Sequence, residues 1–206
     1  MKKILFGFLM FAAMMTPLVL TSCDDDAEEK EVPKEEEKEL VGTITEDRTL
    51  DATVEYLLTG PVIVQDGGTL NIPAGTVIKA EKGFDKYILV LRGGKINVNG
   101  TAVAPVTITA DTDDAKQGHW GGLIINGKAP LSGGTEGTTE INADHKYGGT
   151  NVSDNSGTIT YLKLEYTGAR SDADVEHNGL TLNGVGNGTK IENVYIPYGA
   201  DDAIEF

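Results

Sequence analysis

The chain has 206 residues, a formal net charge of −15, and only one cysteine and one tryptophan. A surface with this excess of acidic groups repels phosphate backbones and anionic lipid headgroups, which excludes nucleic acid as a partner. A single cysteine also excludes an internal disulfide, so an exported domain of this chain would depend on packing alone for its stability.

The beginning of the chain has the pattern of a secretory signal. A basic start, Met1-Lys2-Lys3, precedes a nearly continuous apolar run over 4–20, which is too short and too poorly flanked for a membrane-spanning helix. The segment Leu-Thr-Ser-Cys that ends at Cys23 resembles the lipobox of bacterial lipoproteins, in which cleavage precedes the cysteine and its sulfur is acylated. The resemblance implies a signal peptide over 1–22, lipidation of Cys23, and membrane contact through acyl chains. The alternative is an ordinary signal peptide with a chance cysteine.

A strongly acidic segment follows the cysteine. Residues 23–40 include the run DDDAEEKEVPKEEEKE, which offers almost nothing apolar to bury and therefore predicts a disordered tether. A cysteine followed at once by acidic residues resembles the surface-export signal of Bacteroidetes lipoproteins. In enterobacteria, by contrast, an aspartate at this place tends to hold a lipoprotein at the inner membrane. We therefore expect a lipid-anchored protein of the outer membrane that faces the cell exterior.

From residue 41 onward, short β-rich segments recur between turn residues. They span 61–64, 69–72, 76–80, 87–91, 95–98, 106–109, 123–125, 158–166, 180–182 and 190–196. Most alternate apolar with polar residues, which is the period of a strand with one buried face. The side chains expected to point inward include Leu70, Ile72, Ile96, Val98, Val106, Ile108, Leu162 and Leu164. The segment 49–58 is the best candidate for a helix, although it fits a strand equally well.

The spacing of these segments favours one all-β fold over the others. The strands are very short, their groups return after roughly 20–25 residues, and their corners are Gly, Asn and Asp. A β-sandwich would require longer strands joined as hairpin pairs. The pattern therefore predicts a solenoid, in which successive coils stack on one another.

Several motifs strengthen this prediction because they occur together and in a fixed order. They are TLNIPAGTVI at 69–78, LRGGKI at 91–96, NGTAVAPVTI at 99–108, GHWGGLIINGKAP at 118–130, NGLTLNGVG at 178–186 and DDAIEF at 201–206. Together they resemble right-handed parallel β-helix surface proteins of Bacteroidetes, whose fold is pectin-lyase-like. The resemblance covers 41–206 and implies that fold and a surface location, but no established activity. Members of the family usually continue past the last motif, so we expect this β-helix to be truncated at its C-terminus.

Asp201, Asp202 and Glu205 form the most enzyme-like group in the sequence. Glycoside hydrolysis requires two carboxyl groups, one as acid and one as base or nucleophile. Polygalacturonases of this fold carry an Asp-Asp pair, but their companion elements are absent from this sequence. We favour the alternative, a polar corner that opens a strand whose Ile204 and Phe206 point inward.

Two further groups are candidate binding sites. Asp111, Asp113 and Asp114 form an acidic loop of the kind that binds calcium. No known calcium motif surrounds them, so we favour a solvated loop and expect no cofactor.

Trp120 could stack on a sugar or close the coil over the core, and we favour core packing. Tyrosines that could extend an aromatic contact surface are Tyr147, Tyr166, Tyr195 and Tyr198.

Three functions fit these features. We favour a surface lipoprotein without catalytic activity, a binding or structural platform for glycans or other surface ligands, which predicts no cluster of acid and base in one cleft. The alternative is a polysaccharide lyase or glycoside hydrolase, in which Asp201, Asp202 and Glu205 converge with Arg170 or His177. The third is an envelope assembly module that pairs with other chains through an open coil.

Overall fold

The computed structural model describes residues 38–171 and 175–206, and their architecture is the predicted right-handed parallel β-helix. The strands are β1 (Glu39–Ile44), β2 (Asp47–Thr49), β3 (Glu55–Val64), β4 (Thr69–Pro73), β5 (Val77–Ala80), β6 (Ile88–Val90), β7 (Lys95–Asn99), β8 (Val106–Ala110), β9 (Leu123–Asn126), β10 (Gly137–Thr139), β11 (Asn142–Tyr147), β12 (Gly157–Leu164), β13 (Leu180–Asn183), β14 (Lys190–Tyr195) and β15 (Ile204–Glu205). The predicted signal peptide, Cys23 and most of the predicted tether lie outside the described residues. Within the described part, no helix is long and apolar enough to cross a membrane.

The strands form three parallel stacks, and each full coil of the chain contributes one strand segment to each stack. The first stack contains β2, β4, β7 and the first halves of β12 and β14. The second contains the start of β3, then β5, β8 and the second halves of β12 and β14. The third contains the ends of β1 and β3, followed by β6, β9, β13 and β15.

The core is a column of apolar side chains inside these stacks. In the first stack, Ile72 pairs with Val98, which in turn pairs with Ile159 of the next coil. The inward positions predicted from the alternating pattern are all fully buried: Leu70, Ile72, Ile96, Val98, Val106, Ile108, Leu162 and Leu164. This prediction is confirmed. Because each such side chain contributes about 1.5–3 kcal/mol when buried, stacking between coils is the main source of stability.

The start of the β-helix differs slightly from the sequence-based expectation. β1 begins at Glu39, inside the segment expected to be tether, and Leu40 is fully buried. Leu40 pairs with Leu58 of the next coil. Because the residues before Leu40 in the chain are acidic, the local sequence did not predict this buried partner. The ambiguous segment 49–58 contains the last residue of β2, a turn and the start of β3.

Asparagine side chains connect three successive coils on the outer face of the first stack. The Asn97 amide nitrogen donates a hydrogen bond to Asn71 Oδ1 at 2.9 Å. Its own Oδ1 accepts one from the backbone N–H of Thr158 at 3.2 Å. One half-buried side chain thus links β4, β7 and β12.

We expect Asn97→Ala to lower the free energy of unfolding by about 1–2 kcal/mol, because it removes both hydrogen bonds at a half-buried position. Urea denaturation followed by circular dichroism measures the loss. Asn99→Ala, at the exposed end of the same strand, is the matched control and should change stability by less than about 0.5 kcal/mol. Equal losses of stability in the two variants would contradict a stabilising role for the two hydrogen bonds of Asn97.

The longest departure from the coil is the segment 127–156 between β9 and β12, which we call the hairpin insert. It contains β10 and β11, paired antiparallel. Arg92 fastens the insert to the coil, because its Nη1 contacts Glu136 Oε2 at 3.0 Å and donates to the Gly148 carbonyl at 3.2 Å. Ile124 faces away from the core yet is only 3% exposed, because the hairpin insert covers this face of the third stack.

Candidate functional site

A cavity of about 150 Å³ lies between the outer face of the third stack and the hairpin insert. The insert contributes Glu140 and Tyr147, and the coil contributes Ile124, Thr181 and Glu205. One water molecule needs about 10–15 Å³ of such space, so the cavity has room for more than a single water. The cavity is therefore of a size for one small polar molecule.

The loop that connects β12 to β13 brings a charged cluster to the edge of this cavity. Arg170 and Glu176 are bridged as antiparallel neighbours within the loop. Arg170 Nη2 contacts Glu176 Oε2 at 2.6 Å and donates to Asp201 Oδ2 at 2.7 Å. One guanidinium group therefore holds two carboxyl groups from successive coils, although partial exposure keeps the energy of such pairs modest.

Glu176 lines the cavity, and its surroundings favour the protonated form of its carboxyl group. A hydrogen bond with the Asp201 carboxyl, together with desolvation, raises the pKa of Glu176 above its ordinary value, while the Arg170 charge opposes the shift. The nearby Glu140 carboxylate adds to the upward shift. Glu176 thus holds its proton to a higher pH than a free glutamate does.

Glu205 is held in the same cavity by two side chains of the preceding coil. Its Oε2 accepts a hydrogen bond from the Asn178 amide at 2.7 Å and another from the Thr181 hydroxyl at 3.4 Å. Thr181 and Glu205 lie in register on β13 and β15. The parallel pairing of these strands therefore sets the position of this carboxylate.

His177 supplies an uncharged acceptor to the cavity wall. Its ring is 1% exposed and packs against Phe84 and Tyr87, with ring centroids 4.6 and 5.1 Å away. Nε2 lies 2.9 Å from the Phe84 carbonyl, which can only accept, so Nε2 carries the proton and Nδ1 is the acceptor. Nδ1 is buried and has no hydrogen-bond partner among the described residues. Burial lowers the pKa of His177 to about 4, so the ring is neutral at neutral pH.

Comparison with known proteins assigns the chain to a family. Residues 42–206 match the family model for a pectate-lyase-like β-helix domain. The chain belongs to this family. No curated protein and no solved structure matches it. Because one fold can carry unrelated activities, family membership leaves the function of the cavity to be argued from its residues.

The pectate-lyase-like β-helix domain brings two of the three predicted carboxylates to this region. Asp201 contacts Arg170, and Glu205 lines the cavity. Asp202 is exposed, and its backbone N–H donates to Asp201 Oδ1 at 3.0 Å. Ile204 lies in register with the inward-facing Leu180 and is 42% exposed. Phe206, two residues further along, is 91% exposed and is therefore not covered by the core of the described coils.

Trp120 does not occupy the position that a ligand-binding residue needs. Its side chain is fully buried in the core, and its Nε1 donates to the Glu165 carbonyl at 2.8 Å. A ring with no exposed face cannot stack on a sugar. The ligand-binding role is therefore corrected to core packing, the interpretation that the sequence favoured.

The acidic loop of Asp111, Asp113 and Asp114 is exposed. Asp111 Oδ1 lies 3.0 Å from His119 Nε2. Across the described ranges, no group of three or more acidic, histidine or cysteine side chains is arranged to hold a metal ion. The calcium interpretation of this loop therefore gains no support from the geometry.

The four tyrosines are divided among different places. Tyr166 and Tyr198 stack at 5.1 Å between ring centroids, and both have left-handed backbones, with φ of 64° and 61°. Tyr195 is 59% exposed on β14, whereas Tyr147 lines the cavity. An aromatic surface made by all four is therefore not present.

Sequence reasoning did not identify Glu176, Asn178 and Glu140 as residues of the cavity. One signal in the sequence could have found Glu176. Tyr166 and Tyr198 occupy equivalent positions in successive coils, because their rings stack on each other. The segment from Tyr166 to the start of β13 has more residues than the segment from Tyr198 to the start of β15. The extra residues in this loop carry Arg170, Glu176 and His177, so an insertion in the repeat marks the site.

Proposed function

We propose that this β-helix domain binds a glycan and that the cavity beneath the hairpin insert holds one sugar unit. The observation that carries the proposal is the convergence of carboxyl, amide and hydroxyl groups from three separate segments around a space for one small polar molecule. A small number of polar groups placed in a partly apolar wall is typical of sites that bind small molecules. The proposal includes display on the outer surface of the outer membrane through acyl chains on Cys23.

The chemistry of the cavity wall suits a sugar. Sugar hydroxyls are donors and acceptors, and the Glu205 carboxylate is a charged acceptor that strengthens a hydrogen bond from a hydroxyl. Ile124 and Ile141 offer apolar contact to the C–H groups of a sugar ring, and Tyr147 adds an aromatic ring. No such set surrounds Trp120, which is buried in the core.

We expect Glu205→Gln to weaken glycan binding about tenfold or more, because it removes a charged hydrogen-bond acceptor worth about 1.5–3 kcal/mol from the cavity. A glycan array identifies the ligand, and calorimetric titration of the full chain measures its affinity for both forms. The control is Asp202→Asn, which removes an exposed charge near the site and should leave the affinity unchanged. Unchanged binding by Glu205→Gln, or an array without any bound glycan, would contradict the proposal.

A second function, glycoside hydrolysis, is favoured by one specific observation. Glu176, whose pKa is raised, lines the same cavity as Glu205, which accepts two hydrogen bonds. Glu176 could protonate a glycosidic oxygen, while Glu205 accepts a proton from water or attacks the sugar. Release of reducing ends from a glycan that the array identifies would select hydrolysis over binding alone.

A further inference from the structure

The side-chain donors around the cavity are largely committed to acceptors of the protein itself. The Asn178 amide and the Thr181 hydroxyl both donate to Glu205. The Asn183 amide donates to Asn126 Oδ1 at 3.1 Å, and the Thr139 hydroxyl donates to the Asn142 carbonyl at 2.7 Å. A ligand therefore finds few donors in this wall.

Most of the groups that remain for a ligand are acceptors. They are the second oxygen of Glu205, the carboxyl group of Glu140 and the buried Nδ1 of His177. The Thr138 and Tyr147 hydroxyls also line the cavity and can donate as well as accept, whereas Glu176 is already in contact with Arg170. Neither lysine nor arginine is among the described residues that line the cavity. Arg170, the nearest cation in the cluster, is already held by Glu176 and Asp201.

His177 gives independent evidence that a donor belongs in the cavity. A buried acceptor without a partner costs about 1–3 kcal/mol, and the proton on Nε2 is fixed by the Phe84 carbonyl. The ring cannot turn its acceptor to solvent, because Phe84 and Tyr87 pack against it. An N–H group of a ligand that reaches Nδ1 would supply the partner that it lacks.

We propose that the cavity selects a protonated primary amine, so that the sugar unit it takes is an amino sugar with a free amine. An ammonium group presents three donors and no acceptor, which complements a wall in which most of the available groups are acceptors. Its positive charge is attracted by the carboxylates, whereas a uronate would bring another negative charge beside them. The inference rests on the proposed function for the sugar and adds the charge of the ligand.

The test compares four oligosaccharides of equal length at about pH 5.5, where the amine of an amino sugar is protonated and the carboxyl group of a uronate is ionised. Glucosamine oligomers, N-acetylglucosamine oligomers, glucose oligomers and galacturonate oligomers are titrated into the full chain by calorimetry. We expect glucosamine oligomers to bind at least tenfold more tightly than the acetylated and neutral ones, with no detectable binding of galacturonate. Raising the salt concentration should reduce this preference.

Two variants test which atoms cause the preference for glucosamine over N-acetylglucosamine. His177→Phe keeps an aromatic ring but removes Nδ1, and Glu205→Gln keeps the shape of the side chain but removes its charge. Each should reduce the preference for glucosamine over N-acetylglucosamine about tenfold. Asp202→Asn should leave it unchanged. Because Glu205→Gln preserves side-chain size, it keeps the inference testable even if His177→Phe unfolds the domain.

The outcomes separate the inference from the proposed function. Equal affinity for amine and acetylated oligomers, or tighter binding of galacturonate, would overturn amine selection while leaving glycan binding in place. Binding of ethanolamine, a non-sugar amine, as tightly as glucosamine oligomers would support amine selection and contradict the glycan. Failure of all of these ligands to bind would overturn amine selection, and an array without bound glycan would separately overturn the proposed function.

Discussion

Replacing Trp120 with alanine is expected to lower the free energy of unfolding by about 4 kcal/mol. The side chain is fully buried in the core and donates a hydrogen bond to the Glu165 carbonyl. Removing a buried large aromatic ring costs about 3–5 kcal/mol, because apolar contacts are lost and a cavity remains. Since a domain of ordinary stability has about 5–15 kcal/mol in total, the substitution should remove between about a quarter and most of the stability of the domain.

Urea denaturation followed by far-ultraviolet circular dichroism measures this loss, since the variant has no tryptophan to report by fluorescence. Trp120→Phe keeps a ring in the core but loses the Nε1 hydrogen bond, so its loss should be smaller than that of alanine. Val103→Ala is the surface control, because Val103 is 94% exposed, and it should lie within about 0.5 kcal/mol of the parent. A Trp120→Ala protein that unfolds at the same urea concentration as the parent would contradict the role of Trp120 in the core.

The second large effect concerns acid. The free energy of unfolding is expected to fall by up to about 3 kcal/mol as pH decreases from 6.5 to 4, because of His177. Burial lowers the pKa of His177 to about 4 in the folded protein, from an ordinary value of 6.5. Between these values the unfolded chain binds a proton that the folded chain does not, so acid favours unfolding. The full contribution is present above pH 6.5 and is lost as pH falls towards 4.

The measurement is a series of urea denaturations across this pH range for the parent and for His177→Phe. The variant has no titrating ring, so the difference in stability between the two proteins should change across the range. The comparison is needed because Glu176 has a raised pKa and acts with the opposite sign, favouring the folded state as it binds a proton. Parallel pH profiles for the two proteins would show that His177 is not the group responsible.

The parts of the fold that follow from local pattern could be predicted from the sequence. Leu70 and Ile72, or Ile96 and Val98, are two residues apart, and a strand places such residues on one face whatever its partner is. The fully buried pairs in the stacks confirm this. The start of β1 was harder to predict, because Leu40 follows a run of charged residues. Its burial depends on packing against Leu58, which lies in the next coil.

The candidate site depended on information that no local pattern contains. Arg170 and Asp201 are 31 positions apart in the chain and meet at 2.7 Å because their loops lie on adjacent coils. The proximity of Glu176 to Glu205 depends in the same way on the length of each loop. Composition could identify Asp201 and Glu205 as candidates, but it could not distinguish them from Asp202, which is exposed beside them. For Trp120, the residue type allowed both packing and binding, and only its burial decides.

The hairpin insert leaves the stacking of the coils unchanged on either side of it. Val98 of β7 still pairs with Ile159 of β12, and Leu123 of β9 with Leu180 of β13, although the insert separates β9 from β12 in the chain. One wall of the cavity can therefore be exchanged by insertion, deletion or loop grafting while the core that provides stability is preserved. In evolution, such a separation lets ligand preference diverge rapidly among homologues that share one scaffold, and in the laboratory it makes residues 127–156 the segment to randomise for new specificities.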